Sequence, residues 1–256
     1  MNGKSGRWST AALLCLLAVW PFGALSAELK IASSPALSSF LRDLAPAFEQ
    51  SSGRKLVISY SSPTRMRDLL GQDSFDAVIS TRELIGELEQ TGIVKAGTRT
   101  DVGRVGVGVS FRRGVAKPDV SSVETLKNSL LTAKSIAHGN PAGGGAGSVY
   151  VAKLLDQLGI AVAMKPKTKL MNAHASAEAI SRGEVELGIT QISEIIPYAS
   201  IDLAGPLPAE IQNYTYFAAG LLSNSTSDGG AALLQLLMSS EATRALTSTG
   251  LEPTSR

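Results

Sequence analysis

The sequence predicts an α/β protein of two lobes, each a mostly parallel β-sheet flanked by helices, with two crossings of the chain between them. Three observations favour this fold. Short apolar or β-branched runs alternate with segments of helical periodicity, which is typical of parallel strands linked by helices. The 25 glycines and 11 prolines among 256 residues indicate many short connections. Two extended segments interrupt the alternation at the points where the chain would change lobes.

The first lobe is predicted to begin with a strand at Leu29–Ala32, followed by one apolar stripe at helical spacing. The residues of that stripe are Leu37, Phe40, Leu41, Leu44 and Phe48. A strand at Lys55–Tyr60, a helix at Thr64–Leu70 and a strand at Phe75–Ser80 are predicted to follow. These elements give the first lobe three strands connected by two helices.

An extended, glycine-alternating segment at Gly103–Val109 marks the first crossing, and a second extended segment at Asn213–Leu222 marks the return. The elements predicted between and after them are strands at Ser135–Ala137, Lys169–Met171 and Glu186–Thr190, and helices at Val149–Leu158, Ser176–Arg182, Ala231–Met238 and Glu241–Thr247. The predicted lobes are therefore residues 28–105 with 215–256, and residues 106–214. Two crossings would form a hinge that closes around a ligand.

The first 27 residues have the composition of a secretory signal peptide. Lys4 and Arg7 precede the apolar run Ala11–Val19, which is too short to span a bilayer, and small residues follow it. We expect cleavage after Ser26 or Ala27 and a periplasmic protein that is not embedded in a membrane. A retained membrane anchor is the alternative.

Composition excludes several kinds of site. Cys15 lies inside the apolar run, so the mature chain would have no cysteine for a disulfide, a thiol nucleophile or a metal. Two histidines are too few for a typical zinc site, and we expect no metal or cofactor. A formal net charge of +2, without a basic run, gives no indication of nucleic-acid binding.

A Ser-Ser-Pro tripeptide occurs twice, at residues 33–35 and 61–63, each time between a predicted strand and a predicted helix. Both helices would start at the edge of the sheet where α/β proteins bind ligands. The Ser33, Ser34, Ser61 and Ser62 hydroxyls and nearby backbone N–H groups could therefore hold an anion. The alternative is that the serines only cap their helices.

The second lobe supplies a glycine-rich segment at residues 140–148, just before the predicted helix at Val149. Its glycines would let the backbone of Gly145, Ala146 and Gly147 approach a ligand closely. The segment lacks the Gly-Lys-Ser/Thr ending of a nucleotide-binding loop. A flexible surface loop is the alternative interpretation.

Charged and titratable residues follow several of the predicted strands. Arg65 and Arg82 could reach the same gap and clamp a carboxylate with paired N–H donors, or they could be solvated surface charges. Gln191, Ser193 and Glu194 could line the opposite wall. His138 and His174 lie at the predicted edge, where proton transfer is possible, although most histidines are structural.

The whole mature chain resembles the molybdate-binding-protein branch of the type II periplasmic solute-binding proteins. The matching segments are Ile31–Leu37, Ser59–Ser62, Phe75–Ser80, Pro141–Gly147 and Arg182–Glu184 with Leu187–Ile189. The resemblance implies the two-lobed type II periplasmic binding protein fold, a small anionic ligand, an ABC transporter permease as a possible partner and a monomer. Three family binding positions fall on Ala36, Pro63 and Gln191, which disfavours molybdate, while Arg65, Arg82 and the glycine-rich segment favour a di- or tricarboxylate.

The same resemblance includes a branch of exported enzymes, the aconitate isomerases, which move a double bond in a tricarboxylate by proton transfer. Two functions are therefore predicted: capture of an anion for ABC import, or interconversion of cis- and trans-aconitate. The predicted ligand-binding residues are Ser33, Ser34, Ser61, Ser62, Arg65, Arg82, Gly145, Ala146, Gly147, Ala173 and Gln191. Only an enzyme would use His138, His174 and Glu194 as catalytic groups.

Overall fold

The structure is a computed structural model that describes residues 27–254. Residues 1–26 of the predicted signal peptide, with Cys15, therefore lie outside the described residues. The strands are β1 Glu28–Ser33, β2 Lys55–Tyr60, β3 Ala77–Thr81, β4 Thr100–Val105, β5 Val107–Arg112, β6 Ile136–His138, β7 Thr168–Leu170, β8 Leu187–Gln191, β9 Ile201–Pro206 and β10 Thr215–Leu221. The α-helices are α1 Ser38–Ser52, α2 Met66–Gln72, α3 Arg82–Gln90, α4 Val123–Thr132, α5 Ala146–Gln157, α6 Ala161–Met164, α7 Ala173–Ser181, α8 Gly229–Leu237 and α9 Ser240–Ser248.

The ten described strands form two five-stranded sheets flanked by helices. The strand order is β2-β1-β3-β10-β4 in the first sheet and β7-β6-β8-β5-β9 in the second. Three neighbouring strands of each sheet are parallel, and one strand, β10 in the first sheet and β5 in the second, is antiparallel to both of its neighbours. The predicted α/β class is confirmed, and the sheets are mixed because the strand by which the chain enters each sheet after a crossing runs against the other four.

The chain changes sheet twice, between β4 and β5 and between β9 and β10. Gly106 separates β4 from β5, and a Cβ on it would lie 3.1 Å from the Gln212 side chain. That side chain pairs with both the N–H and the C=O of Val107, at 2.8 and 3.0 Å, as a neighbouring strand would. The two crossing segments are therefore joined. The lobe boundaries predicted at 105/106 and 214/215 remain a prediction.

Each sheet has its own apolar core. The predicted stripe of α1 packs on the first sheet, where Phe40, Leu44 and Phe48 are almost completely buried. In the second sheet, Val109 and Ile189 meet Leu154 of α5 in the same way. Burying a side chain of this size contributes about 1.5–3 kcal/mol, so these faces hold the helices in place.

Strand register aligns the predicted site. β1 and β2 are parallel from the pair Glu28–Lys55 to the pair Ser33–Tyr60, so both strands end at the same level. The two Ser-Ser-Pro turns consequently leave the first sheet side by side. In the second sheet, β6 is parallel to β7 and β8, so the segments following His138, Leu170 and Gln191 also share one edge.

No single helix within residues 27–254 is both long and apolar enough to cross a bilayer. Only the pair formed by Ala146–Gln157 and Ala161–Lys167 reaches the required length and composition, and it is bent by 117°.

Candidate functional site

Three adjoining cavities lie where the carboxyl edges of the two sheets face each other. An inner cavity of about 70 Å³ is lined by Ser34, Ser62, the start of α5 and Gln191. A middle cavity of about 340 Å³ extends towards His138, and an outer cavity of about 530 Å³ extends towards His174. Pro35 and Glu194 line all three. We call the three cavities together the cleft.

The two Ser-Ser-Pro turns are held together by backbone hydrogen bonds. The Ser34 N–H donates to the Ile79 carbonyl at 3.0 Å, and the Ser61 N–H donates to the Ser33 carbonyl at 2.9 Å. Ser34 and Ser62 each precede a short 3₁₀ turn with proline at its first position, yet neither side chain accepts a hydrogen bond from a backbone N–H of that turn. The Ser62 hydroxyl instead lies 3.2 Å from the Thr64 hydroxyl. The capping interpretation therefore does not account for these two hydroxyls, both of which line the inner cavity.

The glycine-rich segment brings the second lobe against the first. Gly144 has a left-handed φ of 70°, and a Cβ on it would lie 1.9 Å from the Thr64 hydroxyl oxygen of the first lobe. A Cβ on Gly147 would lie 2.9 Å from the Gln191 side chain. Only glycine permits these approaches, because any other side chain would separate the surfaces. The cleft walls consequently touch at this point.

Gln191 lies at the base of the cleft and is buried. Its amide nitrogen donates to the Thr215 hydroxyl at 2.8 Å, which links the end of β8 to the start of β10. Because β8 and β10 belong to different sheets, this bond connects the two lobes beneath the inner cavity.

Glu194 is the carboxyl group at the centre of the cleft. Part of its surface faces the cavities, while protein surrounds the rest closely enough that burial raises the pKa of the carboxyl. The Thr190 hydroxyl donates to it, which opposes the rise in pKa without cancelling it. Protonation of Glu194 therefore persists to a higher pH than that of an ordinary glutamate.

His138 is buried at the end of β6 and lines the middle cavity with Glu194. Its Nδ1 lies 2.8 Å from the Gly139 carbonyl oxygen, which can only accept, so Nδ1 carries a proton. Burial lowers the pKa of the ring, more than this hydrogen bond raises it. The neutral ring then keeps its lone pair on Nε2, where it can act as a base.

His174 is placed differently. It is exposed on α7 and lines the outer cavity, its Nε2 lies 3.3 Å from the Glu178 carboxylate, and its ring centroid is 5.8 Å from that of Tyr198. The structure thus separates the two histidines, one buried beside Glu194 and one near the cleft entrance.

A model of the bacterial extracellular solute-binding protein family matches residues 29–252. The chain belongs to this family. This solute-binding protein is also 29% identical over 246 residues to the aconitate isomerase of a Pseudomonas species, an alignment that covers 93% of the chain and 91% of the relative.

Solved structures share the fold. The periplasmic molybdate-binding protein of Azotobacter vinelandii superposes with a TM-score of 0.71 at 17% identity, covering 89% of the chain and all of that protein. The sulfate-binding protein SubI of Mycobacterium tuberculosis superposes with a TM-score of 0.67 at 15% identity, covering 89% and 87%. Identities this low establish the two-lobed fold and nothing about the ligand.

Seven of the eleven predicted ligand-binding residues line the cleft of this solute-binding protein. They are Ser34, Ser62, Gly145, Ala146, Gly147, Ala173 and Gln191. Ser33 and Ser61 belong to the turns but line none of the three cavities. The binding roles of all these residues remain predictions.

The two predicted arginine clamps lie outside the cleft lining. Arg65 is exposed and lines none of the three cavities. Arg82 instead donates to Asp101 at 2.9 Å, and its guanidinium carbon lies 4.7 Å from the centre of the Tyr216 ring. The ion pair and the aromatic contact together hold the Arg82 guanidinium at Asp101 and Tyr216, outside the cleft lining.

Sequence reasoning missed the arginine that does line the cleft. Arg42 is on α1, four residues after Ser38, and it lines the outer cavity with Ser193. The spacing held a usable signal, because residues four apart share one helix face and Ser38 follows the first Ser-Ser-Pro turn. Asn172 was also missed, and its side chain caps α7 by accepting from the Ala175 N–H at 2.9 Å.

A cavity larger than any of these three, of about 840 Å³, lies elsewhere, against β9 and the segment that follows it. It contains none of the predicted site residues. Residues 27–254 also contain no group of three or more histidine, cysteine, aspartate or glutamate side chains arranged to hold a metal ion. The cleft is lined by hydroxyl groups, backbone amides, Arg42, the buried His138, the exposed His174 and the partly buried Glu194.

Proposed function

We propose that this solute-binding protein is an isomerase that moves the double bond of a tricarboxylate by proton transfer, with aconitate as the substrate. The observation that carries the proposal is Glu194, a carboxyl group of raised pKa that lines all three cavities of a cleft suited to anions. A site that only captures an anion gains nothing from a buried carboxyl group, which would repel the ligand once ionised. The aconitate isomerase relative supports the same proposal over almost the full length of both chains.

One carboxylate of the substrate would bind in the inner cavity. The Ser34 and Ser62 hydroxyls reach it from the first lobe, and the first-turn amides of α5 at Ala146 and Gly147 reach it from the second. These donors suit a carboxylate because hydrogen bonds to an ionised acceptor are stronger than neutral ones. The N-terminal end of the twelve-residue α5 adds a favourable dipole.

Proton transfer would take place in the middle cavity. A base removes a proton from the methylene carbon beside a carboxylate, the double bond shifts by one carbon, and an acid returns a proton to the former vinylic carbon. His138 is the base through Nε2, and Glu194 in its protonated form is the acid. Because one proton leaves and one is added, the step needs no oxidant and no cofactor.

Export to the periplasm and capture of a small anion for an ABC importer form the second candidate function. Family membership favours it, since the matched family is described as extracellular solute-binding proteins. The same cleft would then close on a di- or tricarboxylate and release it unchanged to a permease. The two functions differ in turnover, so one assay separates them.

The test follows purified protein incubated with trans-aconitate for the appearance of cis-aconitate. We expect conversion by the wild type, and a loss of kcat of at least about 100-fold in Glu194→Gln, since a positioned acid or base contributes about 100- to 10,000-fold. Glu184→Gln is the matched control, because Glu184 is an exposed carboxylate of the second lobe paired with Arg182. Tight binding of trans-aconitate without conversion by the wild type would contradict the isomerase and leave the capture function.

A further inference from the structure

Beyond the groups that hold and protonate the ligand, the outer cavity contains donors to which the proposed function has assigned no role. Arg42 and Ser193 line it from opposite lobes, beside Glu194. We propose that Arg42 and Ser193 form a second carboxylate subsite, which binds the carboxylate arm furthest from the inner cavity and selects tricarboxylates over shorter diacids. This inference rests on the proposed function for the class of ligand, and it does not require turnover.

Ser193 supplies the first argument. Only 4% of the residue is exposed, and its hydroxyl makes no hydrogen bond with any group of the described chain. A buried hydroxyl without a partner costs about 1–3 kcal/mol, so such groups are uncommon in folded proteins. A ligand oxygen in the outer cavity would give this hydroxyl an acceptor.

Arg42 supplies the second argument, because it is the arginine that lines the cleft and its guanidinium is available. Its ion-pair partner within residues 27–254 is the adjacent Asp43, which lies 3.3 Å from Nε, and both side chains are solvent-exposed. That contact leaves the terminal nitrogens of the guanidinium for a carboxylate, which arginine binds in a two-pronged geometry. Asp43 therefore contacts one nitrogen of the guanidinium and leaves the other two for a ligand.

The charge of Arg42 acts on one tyrosine in each lobe. Burial raises the pKa of Tyr60 on β2, and the Arg42 charge opposes that rise. Burial and then the carboxylates of Glu194 and Glu178 raise the pKa of Tyr198 in the second lobe, and Arg42 again opposes the rise. Arg42 and Tyr198 both line the outer cavity, so the positive field of this arginine favours an anionic ligand there.

Separation of the cavities explains the selectivity. The inner cavity and the outer cavity share only Pro35 and Glu194, so a ligand that uses both must pass the proton-transfer group. A tricarboxylate has enough arms to fill both cavities while its central carbons lie beside Glu194. A diacid missing one terminal carboxylate leaves Arg42 without a partner.

The experiment measures binding by calorimetry with tricarballylate, the saturated tricarboxylate that cannot isomerise, and with methylsuccinate, which is tricarballylate without one terminal carboxylate. We expect Arg42→Gln to raise the Kd for tricarballylate about 10- to 100-fold, the range for a hydrogen bond to a charged group, and to change the Kd for methylsuccinate less than about 3-fold. Arg67→Gln is the control, since Arg67 pairs with Glu87 outside the cleft.

Ser193→Ala separates binding from folding. We expect its Kd for tricarballylate to rise about 3- to 10-fold, while its melting temperature stays the same or rises because an unpaired buried hydroxyl has been removed. Ser80→Ala is the matched control, because Ser80 is another buried hydroxyl without a partner but lies outside the cleft lining. Unchanged tricarballylate affinity in both Arg42→Gln and Ser193→Ala would overturn the subsite and leave the proposed function intact. Failure of the wild type to bind any of these acids would overturn both.

Discussion

Helix starts that line the cleft differ from helix starts outside its lining. Thr81, Ser122 and Ser239 precede α3, α4 and α9, and each side chain accepts a hydrogen bond from a first-turn N–H. At the cleft, Ser34 and Ser62 have the same residue type in the same kind of position and accept none, while α5 starts after Gly145, which has no side chain to offer. A side-chain cap contributes about 1 kcal/mol to stability, and the cleft forgoes that contribution.

The difference shows which helix starts contribute to stability and which are available for binding. At the helix starts outside the cleft lining, the hydroxyl accepts a hydrogen bond from its own helix and contributes only to folding. At the cleft starts, hydroxyls and amides stay available for a ligand, whose binding then stabilises the folded state by mass action. α7 is intermediate, since Asn172 both caps its helix and lines the cleft.

The largest expected effect concerns the contact between the cleft walls. Gly144→Ala would place a Cβ 1.9 Å from the Thr64 hydroxyl, so the lobes must separate and the affinity for tricarballylate should fall about 10-fold or more. Gly159→Ala is the control, because Gly159 has a similar φ of 67° with open space around it. We expect both variants to lose similar stability from the strained φ and only Gly144→Ala to lose affinity, measured by calorimetry and thermal melting. Equal affinities would show that the cleft does not need this approach.

A smaller effect is expected from replacing a serine by alanine at each of the two kinds of helix start. Ser34→Ala should weaken tricarballylate binding about 3- to 10-fold and leave the free energy of unfolding nearly unchanged, because no cap is lost. Ser239→Ala should do the opposite, since it removes the hydrogen bond accepted from the Ala242 N–H at 3.1 Å and should cost about 1 kcal/mol. Denaturant unfolding and calorimetry on both variants check the comparison. A similar loss of stability in Ser34→Ala would mean that Ser34 is an ordinary cap.

The smallest effect is a difference in the pH dependence of stability between a cleft carboxyl and an outer one. Burial raises the pKa of Glu194 above its ordinary value of 4.5, so the folded protein holds this proton more tightly than the unfolded chain. Relative to Glu194→Gln, the wild type should therefore be most stable below about pH 4.5 and lose that advantage as the pH rises through the folded pKa, by about 1.4 kcal/mol per unit of pKa shift.

Glu184 should give the opposite sign, because its hydrogen bond with Arg182 lowers the pKa of that carboxyl. Its stabilising contribution is present above the ordinary glutamate pKa and is lost as the pH falls, and solvent exposure keeps it small. Chemical unfolding between pH 3 and pH 8, at about half-unit steps, would check both curves. Parallel curves for the wild type and Glu194→Gln would contradict the raised pKa.

Much of the fold followed from local patterns, and particular elements show why. Lys55–Tyr60 is predicted and observed with the same bounds, because a short apolar run between a glycine turn and Ser-Ser-Pro leaves one interpretation. The strand at β9 and the helix at α4 were not predicted. Ile201–Pro206 contains glycine and ends in proline, which weakens the strand pattern, and its pairing with β5 is a distant contact that local propensity does not encode.

The candidate site divides in the same way. Ser34, Ser62 and Gly147 were predictable because turn chemistry between a strand and a helix is local. The sequence predicts Arg65 and Arg82 as ligand-binding residues because both follow a strand closely. The direction of a long side chain, however, depends on its partners. Asp101 and Tyr216, which hold Arg82, come from β4 and β10 and approach it only in the folded sheet.

The sequence alone determined the alternation of strands and helices, and with it the edge where Ser-Ser-Pro and glycine-rich turns emerge, because hydrophobic periodicity and turn residues act over a few neighbours. Only the tertiary structure decided which hydroxyls stay uncapped, that Arg42 rather than Arg65 lines the cleft, and that Glu194 is buried enough to raise its pKa. Those properties depend on desolvation and on partners distant in the chain, which exist only after the two sheets have been brought together.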